Sequence, residues 1–180
     1  MRIISGYFKG KHIIPGKNFN ARPTTDVAKE GLFNILNNHF DYSELKVLDL
    51  FSGTGSISYE FASRGVMDIT SIELNFKNYA FIKKTIADLQ FDQIISFRAD
   101  AFKFLKMSNL TYDIIFADPP YELEGIETLP DIIFSKNLIN KHGWFILEHN
   151  SDHNFSKHPN FKETRKYSLV HFSIFEPKVS

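Results

Sequence analysis

The 180-residue sequence contains no cysteine, which excludes both a disulfide framework and thiolate metal ligands. It also lacks the apolar segment of a secretory signal, because its first residues, MRIISGYFKGK, mix apolar, glycine and basic positions. No apolar run is long enough to span a bilayer. We therefore expect a protein of the cytosol that does not bind membranes.

The chain has no net charge, since 21 basic residues balance 21 acidic ones. The balance is uneven, however. Residues 1–30 carry six Lys and Arg against two acidic residues, a net charge of +4, whereas the other 150 residues carry 15 basic and 19 acidic ones, a net charge of −4. A basic segment on an acidic body is either a solvated terminus or a segment that contacts phosphates, and charge alone leaves both open.

Apolar and aromatic residues are abundant: 43% of the chain is hydrophobic and 19 residues are Phe, which suffices for one globular core. From KVLDLFS onwards, strand-like apolar runs alternate with helix-like segments, which predicts an α/β fold with a doubly wound, mostly parallel sheet. The last two predicted strands have no helix between them and must form an antiparallel C-terminal hairpin.

The N-terminal part of the chain has a different pattern. RIISGYFKGKHIIPG predicts a small β-ribbon, and RPTTDVAKEGLFNIL predicts a helix whose cap lies within Pro23–Asp26. We divide the chain into a basic arm over residues 1–25 and an α/β domain over residues 26–180.

Four successive predicted strands carry an acid at their carboxyl ends, the edge at which such sheets bind ligands. These acids are Asp49, Glu73, Asp100 and Asp118. One acid could be a solvated surface residue, but four in succession favour a binding site.

The stretch LDLFSGTGS joins the first of these strands to a helix through Gly53 and Gly55, which let a ligand approach the backbone. Ser58 stands where a dinucleotide fingerprint has a third Gly or Ala, and the loop contains no Lys or Arg. The pattern therefore favours a nucleoside pocket without a pyrophosphate. There, Glu73 would accept hydrogen bonds from a ribose diol and Asp100 from an adenine amino group.

The stretch IIFADPPY ends a predicted core strand at Asp118, followed by Pro119, Pro120 and Tyr121. An amino group conjugated to a purine is a poor nucleophile, because its lone pair is delocalised into the ring. Asp118 and the carbonyl of Pro119 can accept its N–H bonds from positions that the prolines fix. Tyr121 can stack on a base taken out of its helix. As structure alone, the stretch would be a capped turn with a packed tyrosine.

LDLFSGTG, Glu73, RADAF and ADPPY, in this order and spacing, resemble the class I S-adenosylmethionine-dependent methyltransferases. The resemblance implies a Rossmann-like, seven-stranded sheet with a reversed last strand, S-adenosylmethionine as cofactor and S-adenosylhomocysteine as product. It implies a cofactor site made of Asp49, Phe51, Gly53, Gly55, Glu73, Leu74, Asp100, Ala101 and Asp118.

Methyltransferases that act on adenine N6, cytosine N4, guanine N2 and glutamine side chains share the D-P-P-Y element. Here RIISGYFKGK, RPTTDVAKEGLFNIL and LDLFSGTGSISYEFASRG resemble the bacterial family that methylates guanine N2 in 16S ribosomal RNA, over roughly residues 1–150. This resemblance implies ribosomal RNA as partner, naked or in a small-subunit particle. The family tends to be more basic where this chain has Val27 and Ala28, so we expect fewer RNA contacts from that helix.

We expect a monomer with two sets of substrate-facing residues. The expected catalytic residues are Asp118, Pro119 and Tyr121. The expected RNA contacts are Arg2, Lys9, Lys11, Arg22, Pro120 and Tyr121.

Two other functions remain open. The first is an adenine-N6 methyltransferase of DNA or RNA; the DNA enzymes usually need a separate target-recognition region, and no stretch is large enough for one. A non-catalytic RNA-binding module would have no need for an intact D-P-P-Y element. We expect no metal, because His149 and His153 lie in HNSDHN, which is typical of a loop.

Overall fold

The computed structural model describes residues 1–16 and 25–178. Its sheet has seven strands in the order β3-β2-β1-β4-β5-β7-β6. The strands are β1 (Lys46–Leu50), β2 (Asp68–Glu73), β3 (Ile94–Arg98), β4 (Tyr112–Ala117), β5 (Ile139–His149), β6 (Phe161–Tyr167) and β7 (Val170–Phe175). The helices are α1 (Asp26–Asn37), α2 (Ser56–Ser63), α3 (Phe76–Leu89), α4 (Ala101–Met107) and α5 (Leu129–Ser135), with 3₁₀ turns at Tyr42–Glu44 and Ile126–Thr128.

Strands β1 to β5 are parallel, and β7 pairs antiparallel with both β5 and β6. The predicted doubly wound sheet with an antiparallel C-terminal hairpin is thereby confirmed. Two local features differ from what the sequence pattern predicts. GWFILEHN predicts a fifth strand that opens near Trp144, but the strand begins at Ile139. Pro130 predicts a break within IETLPDIIFSKNLI, but it lies in the first turn of α5, where its missing N–H has no partner to lose.

Helices cover both faces of the sheet. Successive side chains of the parallel strands therefore alternate between two buried clusters, one on each face. Val47, Phe116 and Ile146 pack under α1, α2 and α3. Leu48 and Leu147 pack under α4 and α5 on the opposite face. No helix among the described residues is long and apolar enough to cross a membrane.

The first 16 residues fold back on themselves as the predicted ribbon requires, although the regular pairing is one antiparallel bridge between Arg2 and His12. Ile3 and Ile13 are buried in the same cluster as α1 and α2. The arm therefore shares a core with the rest of the chain, and its division from the domain over residues 26–180 stays a prediction.

Candidate active site

The carboxyl ends of β1 to β5 meet at one edge of the sheet, which we call the catalytic edge, and each carries an acid. In sheet order these acids are Asp100, Glu73, Asp49, Asp118 and Glu148. The first four are the acids that the sequence predicts at strand ends. Glu148 is not among the predicted site residues, although its place at the end of the fifth strand is the same signal.

The loop after β1 is a tight turn in which Phe51, Gly53 and Gly55 have φ values of 57°, 56° and 86°. A side chain on Gly55 would place its Cβ 2.5 Å from the Tyr59 ring, so glycine is required there. Glu73 holds this loop, because its Oε2 accepts a hydrogen bond of 2.7 Å from the Gly53 N–H. This hydrogen bond thus joins the loop to the end of β2.

Glu73 also accepts a bond of 2.6 Å from the Asn75 N–H through Oε1. Burial raises the pKa of the Glu73 carboxyl, and these backbone donors oppose the rise. A carboxylate has about four acceptor positions, so each oxygen can still accept a hydroxyl proton. Glu73 can therefore bind a ribose diol while it holds the loop.

Asp49 is only 1% exposed and lies beneath the loop. Its Oδ2 accepts bonds from the N–H and the hydroxyl of Ser58, at 3.2 and 2.6 Å. Burial raises the pKa of Asp49 to about 7, against the effect of the hydrogen bonds from Ser58 and Ser52. Asp49 thus joins β1 to the first turn of α2, and its contact with a cofactor stays a prediction.

The ends of β2 and β3 offer both apolar surface and an acceptor. Leu74 is exposed directly after Glu73, and Ala101 is buried at the start of α4. Asp100 caps α4, since its Oδ1 accepts a bond of 2.8 Å from the Lys103 N–H. These positions suit a flat ring with an amino group, as predicted for adenine.

The D-P-P-Y element directly follows β4. The Asp118 N–H donates to the Leu50 carbonyl at 3.4 Å, which continues the ladder with β1. Pro119 is buried, Pro120 is exposed, and Asp118 and Tyr121 are half-buried. The predicted catalytic residues therefore lie between the glycine loop on one side and β5, with Glu148, on the other.

The predicted RNA contacts differ from one another in exposure and in ion pairing. Lys9 and Lys11 are exposed, while Arg2 is half-exposed and pairs with Asp26 at 3.3 Å. Arg22 lies outside the described residues. Lys29, counted in the charge of the N-terminal segment, is only 1% exposed, so it does not add to the surface charge.

Of the two positions at which the chain departs from the family pattern, Val27 and Ala28, only Val27 could carry a basic side chain that contacts RNA. Val27 is exposed on α1, so a basic side chain there could reach RNA. Ala28 is completely buried against the core, where a basic residue would have no access to solvent.

The structure leaves His149 little capacity to bind a metal. Its Nδ1 lies 2.6 Å from the Asn150 carbonyl and its Nε2 2.8 Å from the Ser173 hydroxyl. Burial lowers the pKa of His149 to about 4, so the ring is neutral at physiological pH. Over residues 1–16 and 25–178, no three His, Cys, Asp or Glu side chains are grouped as metal ligands.

A surface cavity of about 670 Å³ lies at the opposite edge of the sheet, between residues 37–43 and the end of α2. It contains none of the predicted site residues. The chemistry-bearing residues instead lie along the catalytic edge.

The sheet order, with the reversed strand β7 between β5 and β6, and the glycine loop after β1 define the fold of a class I methyltransferase. The Escherichia coli protein yhhF, provisionally named a methyltransferase, shares this fold with a TM-score of 0.85 at 23% identity, covering 99% of both chains. The Thermus thermophilus 16S rRNA N2 G1207 methyltransferase, solved with AdoMet and guanosine, has a TM-score of 0.70 at 18% identity, covering 89% of this chain and 45% of the other.

The family model described as "Conserved hypothetical protein 95" matches residues 1–176, and the chain belongs to this family. A relative from Buchnera aphidicola subsp. Baizongia pistaciae, the ribosomal RNA small subunit methyltransferase D, is 31% identical over 179 residues, which cover 97% of this chain and 91% of the relative. The resemblance found in the sequence is confirmed, and it extends through the C-terminal hairpin rather than ending near residue 150.

Proposed function

We propose that this protein transfers a methyl group from S-adenosylmethionine to the exocyclic N2 of a guanine in 16S ribosomal RNA and releases S-adenosylhomocysteine. Family membership and the name of the Buchnera relative support ribosomal RNA as substrate. The glycine loop held by Glu73 supports the cofactor. The D-P-P-Y element at the end of β4 supports an amino group as the methyl acceptor.

The half of the catalytic edge formed by β1, β2 and β3 would hold the cofactor. Glu73 would accept hydrogen bonds from its ribose diol, Leu74 and Asp100 would contact its adenine, and the turn from Phe51 to Gly55 would border its methionine part. When bound, the cofactor supplies an electrophilic methyl group on a sulfonium.

The acceptor amine is activated at the end of β4. Asp118 and the Pro119 carbonyl accept the N–H bonds of guanine N2, which turns its lone pair toward the methyl carbon. The bond from nitrogen to carbon forms as the bond from carbon to sulfur breaks, and the proton lost by the nitrogen passes to Asp118 or to water. Tyr121 stacks on the base.

The observation that favours guanine over the other bases as the substrate is that two acids, Asp118 and Glu148, are neighbours. Ala117 and Leu147 are paired in register on β4 and β5, so the residues that follow them in the chain, Asp118 and Glu148, lie next to each other. By the alternation of side chains, both face the side of the sheet covered by α1 and α2. Glu148 is only 3% exposed.

Guanine presents two adjacent donors, N1–H and the N2 amino group, and each suits a carboxylate. Adenine and cytosine instead present an acceptor nitrogen beside their amino group, which a second carboxylate would repel. Two neighbouring acids therefore favour guanine N2 over adenine N6 and cytosine N4.

The test compares small-subunit RNA carrying guanosine at the target with the same RNA carrying 2-aminopurine, which keeps the 2-amino group but has an acceptor at N1. Guanosine should be methylated, and 2-aminopurine should react at least about 100-fold more slowly. Equal rates would contradict the role of Glu148.

The target itself is found by mass spectrometry of ribosomal RNA from cells that lack the protein. We expect a missing N2-methylguanosine in 16S RNA. A missing N6-methyladenosine would instead support the adenine alternative, and unchanged RNA would contradict the proposed substrate.

A further inference from the structure

We propose that Glu60, on α2, is a positioning residue for RNA binding: it fixes the N-terminal arm on α2, so that the arm's exposed side chains meet the RNA at a set distance from the methyl acceptor. This proposal rests on the proposed function for the identity of the RNA. It adds a residue outside the catalytic edge to those that determine substrate binding.

Glu60 is completely buried, with 0% of its surface exposed, and both of its oxygens bind the arm. Oε2 accepts a bond of 2.8 Å from the Ile4 N–H, and Oε1 accepts one of 3.0 Å from the Ser5 N–H. Oε1 also accepts from Arg64 Nε at 2.9 Å, and Lys29 Nζ lies 3.7 Å from Oε2. One carboxylate thus joins two consecutive backbone amides of the arm to α1 and α2.

A buried charge is a poor way to gain stability, because removing it from water offsets most of its attraction to a partner. Burial lowers the pKa of Lys29, and the charge of Glu60 opposes that shift. Ile3 and Ile13 already anchor the arm by apolar burial. Glu60 instead sets where the arm lies along α2, since two hydrogen bonds to one carboxylate fix the register of the arm on the helix.

Ser63 extends this attachment by one helical turn. Its carbonyl accepts from the Tyr7 N–H at 2.7 Å, and its hydroxyl accepts from the Phe8 N–H at 2.9 Å and donates to the Ser5 carbonyl at 2.6 Å. A Cβ on Gly6 would lie 1.8 Å from the Ser63 carbonyl oxygen, so the arm backbone rests directly on α2. Residues 4–8 therefore follow α2 from Glu60 to Ser63.

This path directs the outer side chains of the arm away from the core. Tyr7 is 90% exposed although its backbone is held, and Lys9 and Lys11 are exposed beyond it. Helix α2 begins at the catalytic edge and runs back from it, so Ser63 lies about 10 Å from Ser56 at 1.5 Å per residue. Tyr7 and Lys9 consequently reach nucleotides other than the acceptor. A tyrosine ring stacks on an unpaired base, and lysines neutralise phosphates.

The first experiment is Glu60→Gln, which keeps the shape but turns one acceptor into a donor opposite a backbone N–H. We expect the RNA Kd and KM to rise about 10-fold, an effect of one to two hydrogen bonds. The kcat and the Kd for S-adenosylmethionine should stay unchanged, and hydrogen exchange at the Ile4 and Ser5 amides should accelerate. Glu44→Gln, an exposed glutamate on the 3₁₀ turn, is the matched control.

The second experiment is a double-mutant cycle. Its expected result differs from the result expected if Glu60 only stabilised the fold. In a variant with Tyr7→Ala, Lys9→Gln and Lys11→Gln, adding Glu60→Gln should raise the RNA Kd no further, because Glu60 acts through those side chains. The same rise in both backgrounds would overturn the proposal. So would an unchanged RNA Kd in Glu60→Gln, or an equal loss of cofactor affinity.

Two further outcomes are covered. If Glu60→Gln does not fold, Ser63→Ala, which removes only the hydroxyl contacts to Phe8 and Ser5, enters the same cycle with the same criteria. If the wild-type protein methylates no guanine, the proposed function fails, while the RNA Kd, which needs no turnover, still decides the role of Glu60.

Discussion

At the residue scale, the acids of the catalytic edge have different surroundings, and these assign them different roles. Asp49 is sealed beneath the glycine loop and bonded to Ser58. Glu73 holds the loop and keeps acceptor positions for a ligand. Asp118 is half-buried at a turn that two prolines fix, so it combines a fixed position with access. Buried and accessible carboxylates of one sheet edge should therefore respond differently to substitution.

We predict that Asp118→Ala lowers kcat by about 10²–10³-fold, because it removes an acceptor that acts on the developing charge of the amine. The affinity for S-adenosylmethionine should stay nearly unchanged. The measurement is incorporation of tritiated methyl into RNA at saturating cofactor. Asp92→Ala, at an exposed position after α3, is the control, and near-normal turnover of Asp118→Ala would refute the role of Asp118.

Glu73 gives a second prediction, for binding rather than turnover. Glu73→Ala should weaken S-adenosylmethionine binding by about 10–100-fold, the range for a lost charge-assisted hydrogen bond. Glu73→Gln, which can still accept from Gly53, should lose less. Calorimetric titration with S-adenosylmethionine measures the affinity of each variant. If Glu73→Ala binds as tightly as wild type, or if the wild-type protein binds NAD instead, the cofactor site has been assigned wrongly.

At the scale of elements, we predict that the arm binds RNA through its exposed basic side chains. Replacing Lys9 and Lys11 by Gln should reduce RNA affinity and flatten its dependence on salt, by about 0.7–0.9 in logarithmic slope for each lost phosphate contact. The affinity is measured across a salt series, with melting temperature and cofactor binding checked first.

The control for this pair is Lys106→Gln with Lys141→Gln, which makes the same charge change at two exposed positions outside the arm, on α4 and at the start of β5. That control should leave both affinity and slope unchanged. If the two pairs behave alike, the arm has no particular part in RNA binding, and general electrostatics suffice.

The elements themselves were largely predictable, because apolar periodicity is a local signal. Thr25 caps α1 as its position suggested, with its hydroxyl 3.2 Å from the Ala28 N–H. The sequence pattern gave no sign that Lys29 is buried, because that depends on Glu60, 31 positions away. It also gave no position for β7, since pairing between distant strands is not encoded in local periodicity. The polar sequence of β6, FKETRKY, was the available sign of an edge strand.

At the scale of the whole molecule, Asp49 couples the fold to pH. Burial raises its pKa to about 7 in the folded protein, from the ordinary aspartate value of 3.8. Its contribution to the free energy of unfolding is therefore full below about pH 4 and is lost as pH rises toward 7. In Asp49→Asn, this loss should disappear. Between those pH values, the free energy of unfolding of the variant should therefore rise relative to that of the wild type by on the order of 2–4 kcal/mol.

Urea unfolding of both proteins at pH 5 and pH 8 tests this, because the difference between them cancels the titration of every other group. Parallel stability profiles would show that Asp49 does not carry the pH dependence.

The place of β7 in the sheet also determines the order in which the molecule can assemble during synthesis. Strands β1 to β5 and their helices precede it in the chain and can pair as they emerge, but β6 has no position until β7 is made, because β7 lies between it and β5. Until then the edge of β5, which includes the apolar residues Phe145–Leu147, is unpaired and open to association with other chains. The nascent chain is thus most prone to aggregate in the interval before its final hairpin docks.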